Sequence, residues 1–168
     1  MTKIMDKRWV NGTKESELTD TIVEKLGVSQ VVAQVVVNRG IENLEDARSF
    51  LFPDHKDLHD PYLLEDMDKA VERIMKAIKN NEKITIYGDY DVDGVSSTTL
   101  ILLYLRETYK NIDFYIPHRD EGYGINNNAL KTIKDNGTDL VISVDCGITS
   151  FEEALYAKEL GLDLIITD

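Results

Sequence analysis

The chain has 168 residues, 42% of them hydrophobic and 30% charged, enough for one compact domain or one and a fraction and too apolar for a disordered segment. Its single cysteine, Cys146, excludes an internal disulfide or a cysteine-built zinc site, and no stretch approaches the roughly 18 apolar residues of a membrane helix. The balance of 19 basic against 31 acidic residues, a net charge of −12, argues against a generic basic nucleic-acid surface; with no apolar run behind the N-terminus to form a signal peptide, a cytoplasmic protein is expected.

Three short helices open the chain. Leu18 to Leu26 is closed by Gly27, Val31 to Arg39 is capped by Ser29 and closed by Gly40, and Leu44 to Phe52 is capped by Asn43 and stopped by Pro53. Trp9 is expected to anchor their packing. Asp54 to Pro61 reads as a linker. This gives a helical N-terminal region over residues 1–60 and a second region over 61–168. A fourth helix follows, with Met67, Ala70, Val71, Ile74 and Ile78 on one face.

After Lys83 strands and helices alternate. Ile84 to Tyr87 is a strand, followed by a helix from about Val95 to Tyr109. Ile112 to Ile116 is a second strand and Asn127 to Asp135 a helix. Leu140 to Val144 is a third strand. Ser150 to Leu160 is a helix whose Ser150-x-x-Glu153 predicts a capping box, and Leu164 to Thr167 is a fourth strand. The fold class is therefore α/β: a parallel sheet with flanking helices and right-handed crossovers, preceded by a small helical region.

Ligands of such sheets bind beyond the carboxyl ends of the strands. Three of the four strands run into aspartate there: Asp89, Asp91 and Asp93 after the first, Asp145 after the third and Asp168 after the fourth. Five converging carboxylates would repel one another unless a hard divalent cation, Mg²⁺ or Mn²⁺, joined them. Three acids spaced two apart in an extended turn cannot all face one ion. The pattern therefore suits two ions, an arrangement that hydrolyses phosphodiesters, or one ion with the remaining acids behind it. Removing Asp91 or Asp93 is expected to relieve repulsion and leave the metal-free fold as stable as before. Gly94 lets the chain turn into the next helix, whose N–H groups can meet a phosphate.

Other readings of the acidic turn fail on particular residues. An EF-hand loop needs an acid at its twelfth position, where Leu100 stands, and the motif follows a strand instead of a helix. The haloacid-dehalogenase phosphatases place their nucleophile directly after the strand, whereas Asp91 comes two residues late. A plain acidic surface turn leaves the recurrence at Asp145 and Asp168 unexplained.

Taken together, Tyr87-Gly88-Asp89-Tyr90-Asp91-Val92-Asp93-Gly94, Val144-Asp145-Cys146-Gly147-Ile148 and Ile165-Ile166-Thr167-Asp168 resemble, in order and spacing, the acidic motifs of the DHH phosphoesterases. Pro117-His118-Arg119 with Glu121-Gly122-Tyr123-Gly124 resembles a stretch of the RecJ branch of that family, as do Asn38 to Ile41, Leu58 to Pro61 and Met67 to Ala70. The resemblance implies a 5′→3′ exonuclease hydrolysing single-stranded DNA with Mn²⁺ or Mg²⁺, in repair and recombination. It implies Asp91, Asp93 and Asp145 as catalytic metal ligands, Asp145 bridging two ions, with Asp89 and Asp168 completing the metal set. His118, Arg119 and Tyr123 are candidates for substrate contact: a cation for a phosphate and an aromatic ring for a base. Arg119 paired with Asp120 or Glu121, and Tyr123 packed on the sheet, are the structural alternatives.

The family's two histidines are not found after Asp168, and His55, His59 and His118 follow no metal-motif acid. The resemblance thus leads us to expect an N-terminal piece of a longer enzyme, inactive by itself, with an open edge at the fourth strand. A phosphodiesterase of oligonucleotides or cyclic dinucleotides, and a metal-binding remnant without turnover, stay open as alternatives. No membrane partner is expected; contacts with other repair proteins are not legible. Cys146 reads as a packing residue, and one hydroxyl among Ser96, Ser97, Thr98 and Thr99 as a group orienting a carboxylate.

Overall fold

A computed structural model describes residues 17–168; Trp9 lies outside them. The chain forms two compact units that divide between Asp60 and Pro61. In the first, α1 (Glu17–Leu26), α2 (Gln30–Asn38) and α3 (Leu44–Leu51) enclose a small core of Ile22, Ala33, Val36 and Ala47. The expected caps form: the Ser29 hydroxyl accepts from the Val32 N–H at 3.3 Å, and Asn43 Oδ1 from the Asp46 N–H at 2.8 Å. The segment read as a linker carries a 3₁₀ turn, His55–Asp57, and its last residue begins another, Pro61–Leu63.

The second unit is the α/β sheet. In chain order it contains α4 (Met67–Asn80), β1 (Ile84–Gly88), α5 (Val92–Arg106), β2 (Ile112–Tyr115), α6 (Asn127–Asp135), β3 (Leu140–Val144), α7 (Phe151–Glu159) and β4 (Asp163–Thr167). All strand pairs are parallel and the order is β2-β1-β3-β4. The alternation of side chains sorts two cores. Ile84, Ile86, Leu140, Ile142 and Val144 face Ala77 of α4 and Leu102 of α5. Tyr87 and Val141 face Ala129, Leu130 and Ile133 of α6 and Ala157 of α7. β1 and β3 are covered on both faces, and every residue of both strands is buried. Arg73 of α4 pairs with Glu82 and Asp163 at 2.6 Å each, at the end of the strands opposite the acids.

Two expectations need correcting. α5 starts at Val92, three residues earlier than its apolar pattern suggests, because Asp91 serves as its N-cap: Oδ1 accepts from the N–H groups of Asp93 and Gly94, both at 3.0 Å. The acidic motif is therefore a strand end, a cap and a first helical turn, and not an extended turn. The Ser150–Glu153 capping box does not form. Ser150 has φ −83° and ψ 57°, outside the extended conformation that aims a cap side chain at the first turn. Among the described residues no helix is long and apolar enough to cross a membrane.

Candidate metal centre

The strand order reverses direction between β1 and β3: from β1 the chain moves first to β2 on one side, then crosses to β3 and β4 on the other. Such a switch point opens a crevice at the carboxyl ends of the two central strands. The register fixes what stands there. Gly88 pairs with Val144, and Val144 with Thr167. The next residues, Asp89, Asp145 and Asp168, therefore form one row across neighbouring strands, spaced by roughly 4.8 Å per strand.

Each member of the row is held differently. Asp89 is buried, 2% exposed, and its Oδ1 has no hydrogen-bond partner. A buried unpaired carboxylate oxygen is costly, and a cation would supply the missing partner. Asp145 sits in the left-handed region at φ 59°, a conformation that a non-glycine residue adopts at some cost and that concentrates at functional positions. Its N–H donates to the Thr167 carbonyl at 3.0 Å. Asp168 Oδ2 accepts from the Ile148 N–H at 3.0 Å, fastening the loop after β3 to the end of β4.

Asp91 and Asp93 approach from α5. Partial desolvation, then the charges of Asp91, Asp93, Asp168 and Asp89, raise the Asp145 carboxyl above the ordinary carboxylate range. The four other acids thus share one field centred on Asp145. They gather along an edge without meeting at a point: among the described residues no three acidic, histidine or cysteine side chains are close enough to grip one ion. The full convergence expected from the sequence is corrected to this extent. Asp91 is turned toward its cap and Asp168 toward Ile148. The donor set, all hard carboxylate oxygen with one buried oxygen unpaired, fits a hard divalent cation.

Two glycines let α5 reach the row. A Cβ at Gly94 would lie 2.6 Å from the Asp89 backbone nitrogen, and one at Gly88 would overlap the hydroxyl of Thr98. A groove of about 340 Å³ adjoins the row, lined by Ser97, Leu100 and Ile101 of α5 and by Val144, Asp145, Thr167 and Asp168. Cys146 is fully buried; burial, then Asp89, Asp168 and Asp145, push its thiol up to about 12, so it is an unreactive packing group.

The substrate candidates lie on the loop between β2 and α6. Tyr123 is 70% exposed and not packed on the sheet. Partial desolvation, then the charges of Asp89, Asp168 and Asp145, raise its phenol, which places the ring within the field of the acidic row. The Arg119 guanidinium stacks over the Tyr90 ring at 4.7 Å, so it touches the acidic motif itself. Its expected rival Glu121 is engaged elsewhere, with the His118 N–H and the Tyr115 hydroxyl. His118 is exposed at the start of a 3₁₀ turn, Arg119–Glu121. Sequence reading gave Tyr90 and Tyr115 no role and offered Glu121 only as a partner for Arg119.

Comparison with known proteins shows the family. The DHH family, N-terminal domain, matches residues 83–168, half of the chain. The single-stranded-DNA-specific exonuclease RecJ of Bacillus subtilis is 45% identical over 96% of this chain and 21% of its own length. That of Escherichia coli is 36% identical over 62% of this chain and 18% of its own length. The chain thus spans about a fifth of the length of these curated relatives. A crystal structure of exonuclease RecJ bound to manganese is 32% identical, covers 62% of this chain and 27% of that one, and superimposes with a TM-score of 0.57. RecJ of Thermus thermophilus in complex with Mn²⁺ shares the fold over 90% of this chain and 20% of its own, at 24% identity and a TM-score of 0.64. With its acidic row at the switch point and the family match over the whole sheet, the chain belongs to the DHH family, and its relatives are RecJ single-stranded-DNA-specific exonucleases.

Proposed function

We propose that this chain carries the first acidic motifs of a divalent-metal-dependent exonuclease that hydrolyses single-stranded DNA from the 5′ end, by a two-metal mechanism, in cytoplasmic repair and recombination. The observation that supports it best is the row Asp89, Asp145, Asp168, with a buried, unpaired Oδ1 on Asp89. Manganese in the relatives' structures and single-stranded DNA in the relatives' names point the same way.

Asp89, Asp91, Asp93, Asp145 and Asp168 would hold Mn²⁺ or Mg²⁺, Asp145 standing between the groups contributed by β1 and β4. When bound, the cations supply Lewis acidity, making water easier to deprotonate and drawing charge off the scissile phosphate. The carboxylates fix where that charge is concentrated. Arg119 offers a guanidinium for a phosphate, Tyr123 an exposed face for a base, and His118 a polar flank. With a net charge of −12 and acids along this edge, bound cations would lower the repulsion that approaching DNA meets.

The chain spans about a fifth of the length of its curated relatives, and by itself it is expected to bind Mn²⁺ weakly and to turn over slowly or not at all. Melting the chain against increasing Mn²⁺ tests the site. A ligand bound only by the folded state adds about 2.7 kcal/mol at a hundredfold excess over Kd, and Asp145→Asn should remove most of that gain. A Mn²⁺ shift that survives Asp145→Asn would sink the assignment. Hydrolysis of single-stranded DNA as fast as by the Bacillus subtilis relative would sink the expectation of low turnover.

A further inference from the structure

The loop from β2 to α6 is fixed at both ends and bare between them. Pro117, Gly124 and Ile125 are buried, whereas residues 118–123 are exposed. Glu121 does most of the fixing. One carboxylate oxygen accepts from the His118 N–H and the other from the Tyr115 hydroxyl, each at 2.7 Å. Tyr115 ends β2, and its ring stacks on Tyr87 of β1 with centroids 5.4 Å apart. The Tyr87 hydroxyl donates to the Gly124 carbonyl at 2.9 Å and accepts from Asn126 Nδ2 at 3.4 Å. Strand, loop and strand are joined in one closed circuit of contacts.

Inside this circuit stand the two groups suited to a nucleotide. Arg119 is stacked over Tyr90, and Tyr123 projects between Gly122 and Gly124, which have φ of 93° and 87°. A carboxylate two residues from a phosphate-binding arginine should repel the ligand. Glu121 eases that conflict because both its oxygens are turned to donors, one in the loop and one at the end of β2. Hydrogen bonds to a charged acceptor are among the stronger ones, and without them a glycine-flanked loop would have to be ordered each time it bound.

We propose that Glu121 is a positioning residue for nucleic-acid recognition: by tying His118 and Tyr115 together it holds Arg119 and Tyr123 as a preformed seat for one nucleotide unit of a single strand, phosphate on the guanidinium and base on the ring. This rests on the single-strand reading above. Two measurements on the 168-residue chain separate the parts. The first is hydrogen exchange of the loop. Glu121→Ala should speed exchange of amides 118–124 while leaving β1 and β2 protected, and Glu121→Gln, which keeps one acceptor oxygen, should restore part of the protection. The second is binding of a 5′-phosphorylated phosphorothioate oligothymidylate in Mn²⁺, which resists hydrolysis. Immobilising two side chains is worth about tenfold in affinity, so Glu121→Ala should weaken binding by about that factor. In an Arg119→Ala, Tyr123→Ala background Glu121→Ala should have no further effect.

Unchanged loop exchange overturns the proposal, as does exchange that spreads through β1 and β2. Full additivity of Glu121→Ala on the double variant overturns it too. If loop exchange responds but the parent chain does not bind the oligothymidylate, the recognition role falls together with the single-strand reading, and only the fastening of the loop stands.

Discussion

The Arg119 guanidinium rests 4.7 Å above the ring of Tyr90, the residue between two acids of the first motif. The pair joins the loop before α6 to the strand end that carries Asp89. An exposed cation–aromatic pair contributes about 0.5–1 kcal/mol, enough to orient an arginine and too little to hold it against a phosphate. Arg119→Ala is therefore expected to leave Mn²⁺ affinity unchanged. It should reduce the slope of log binding constant against log salt for single-stranded DNA by about one. An unchanged slope would make the Tyr90 contact the arginine's whole role.

Asp145 predicts a pH effect whose sign follows from its raised carboxyl. A group that holds its proton more tightly when folded favours the fold below its ordinary range, and that contribution is lost as pH rises through the raised value. At neutral pH the metal-free fold therefore bears uncompensated repulsion. Asp145→Asn should melt higher than the parent without metal, and the gap should widen as pH rises from about 4. Asparagine accepts the left-handed backbone, so the change tests charge alone. A lower melting temperature at pH 7 would mean the carboxylate is structural.

Asp91 and Asp93 should separate in the metal-free protein, contrary to the expectation that neither supports the fold. Asp91→Ala removes the cap of α5 and should cost about 1 kcal/mol in urea unfolding, whereas Asp91→Asn should restore most of it. Asp93→Ala should stay within about 0.5 kcal/mol of the parent. Equal losses at both positions would refute the cap.

Gly94→Ala sets helix propensity against packing. Alanine favours a helix by about 1 kcal/mol over glycine. Here its Cβ would press on the Asp89 backbone, which cannot swing aside as a side chain could. Overpacking costs about 1–3 kcal/mol, so the variant should be less stable on balance and its Mn²⁺ response weaker. A stabilised variant would show that α5 yields freely.

The sheet and its acids were legible because they rest on short-range rules. Short, largely apolar runs of four or five residues, broken by turns and alternating with helical patterns, specify parallel strands, and the residue after three of the four strands is an acid at the same edge. What was not legible depended on side chains with two uses. Asp91 read as a metal ligand, and nothing in its spacing announced a cap. Glu121 read as a partner for the adjacent Arg119, whereas the strand register offers it Tyr115, six residues away. The Ser150–Glu153 pattern was present, but the backbone angle that decides a cap is set by the preceding turn.

The register that aligns Asp89, Asp145 and Asp168 is also what sorts the two cores. Slipping β3 by one residue against β1 would move Asp145 off the row and, in the same stroke, exchange the faces of Val141 and Ile142. Misplacement of the acid and ruin of the core are therefore one event, so a chain that folds with its apolar residues inside has already set its carboxylates. The packing of the interior serves as the gauge by which the surface chemistry is spaced.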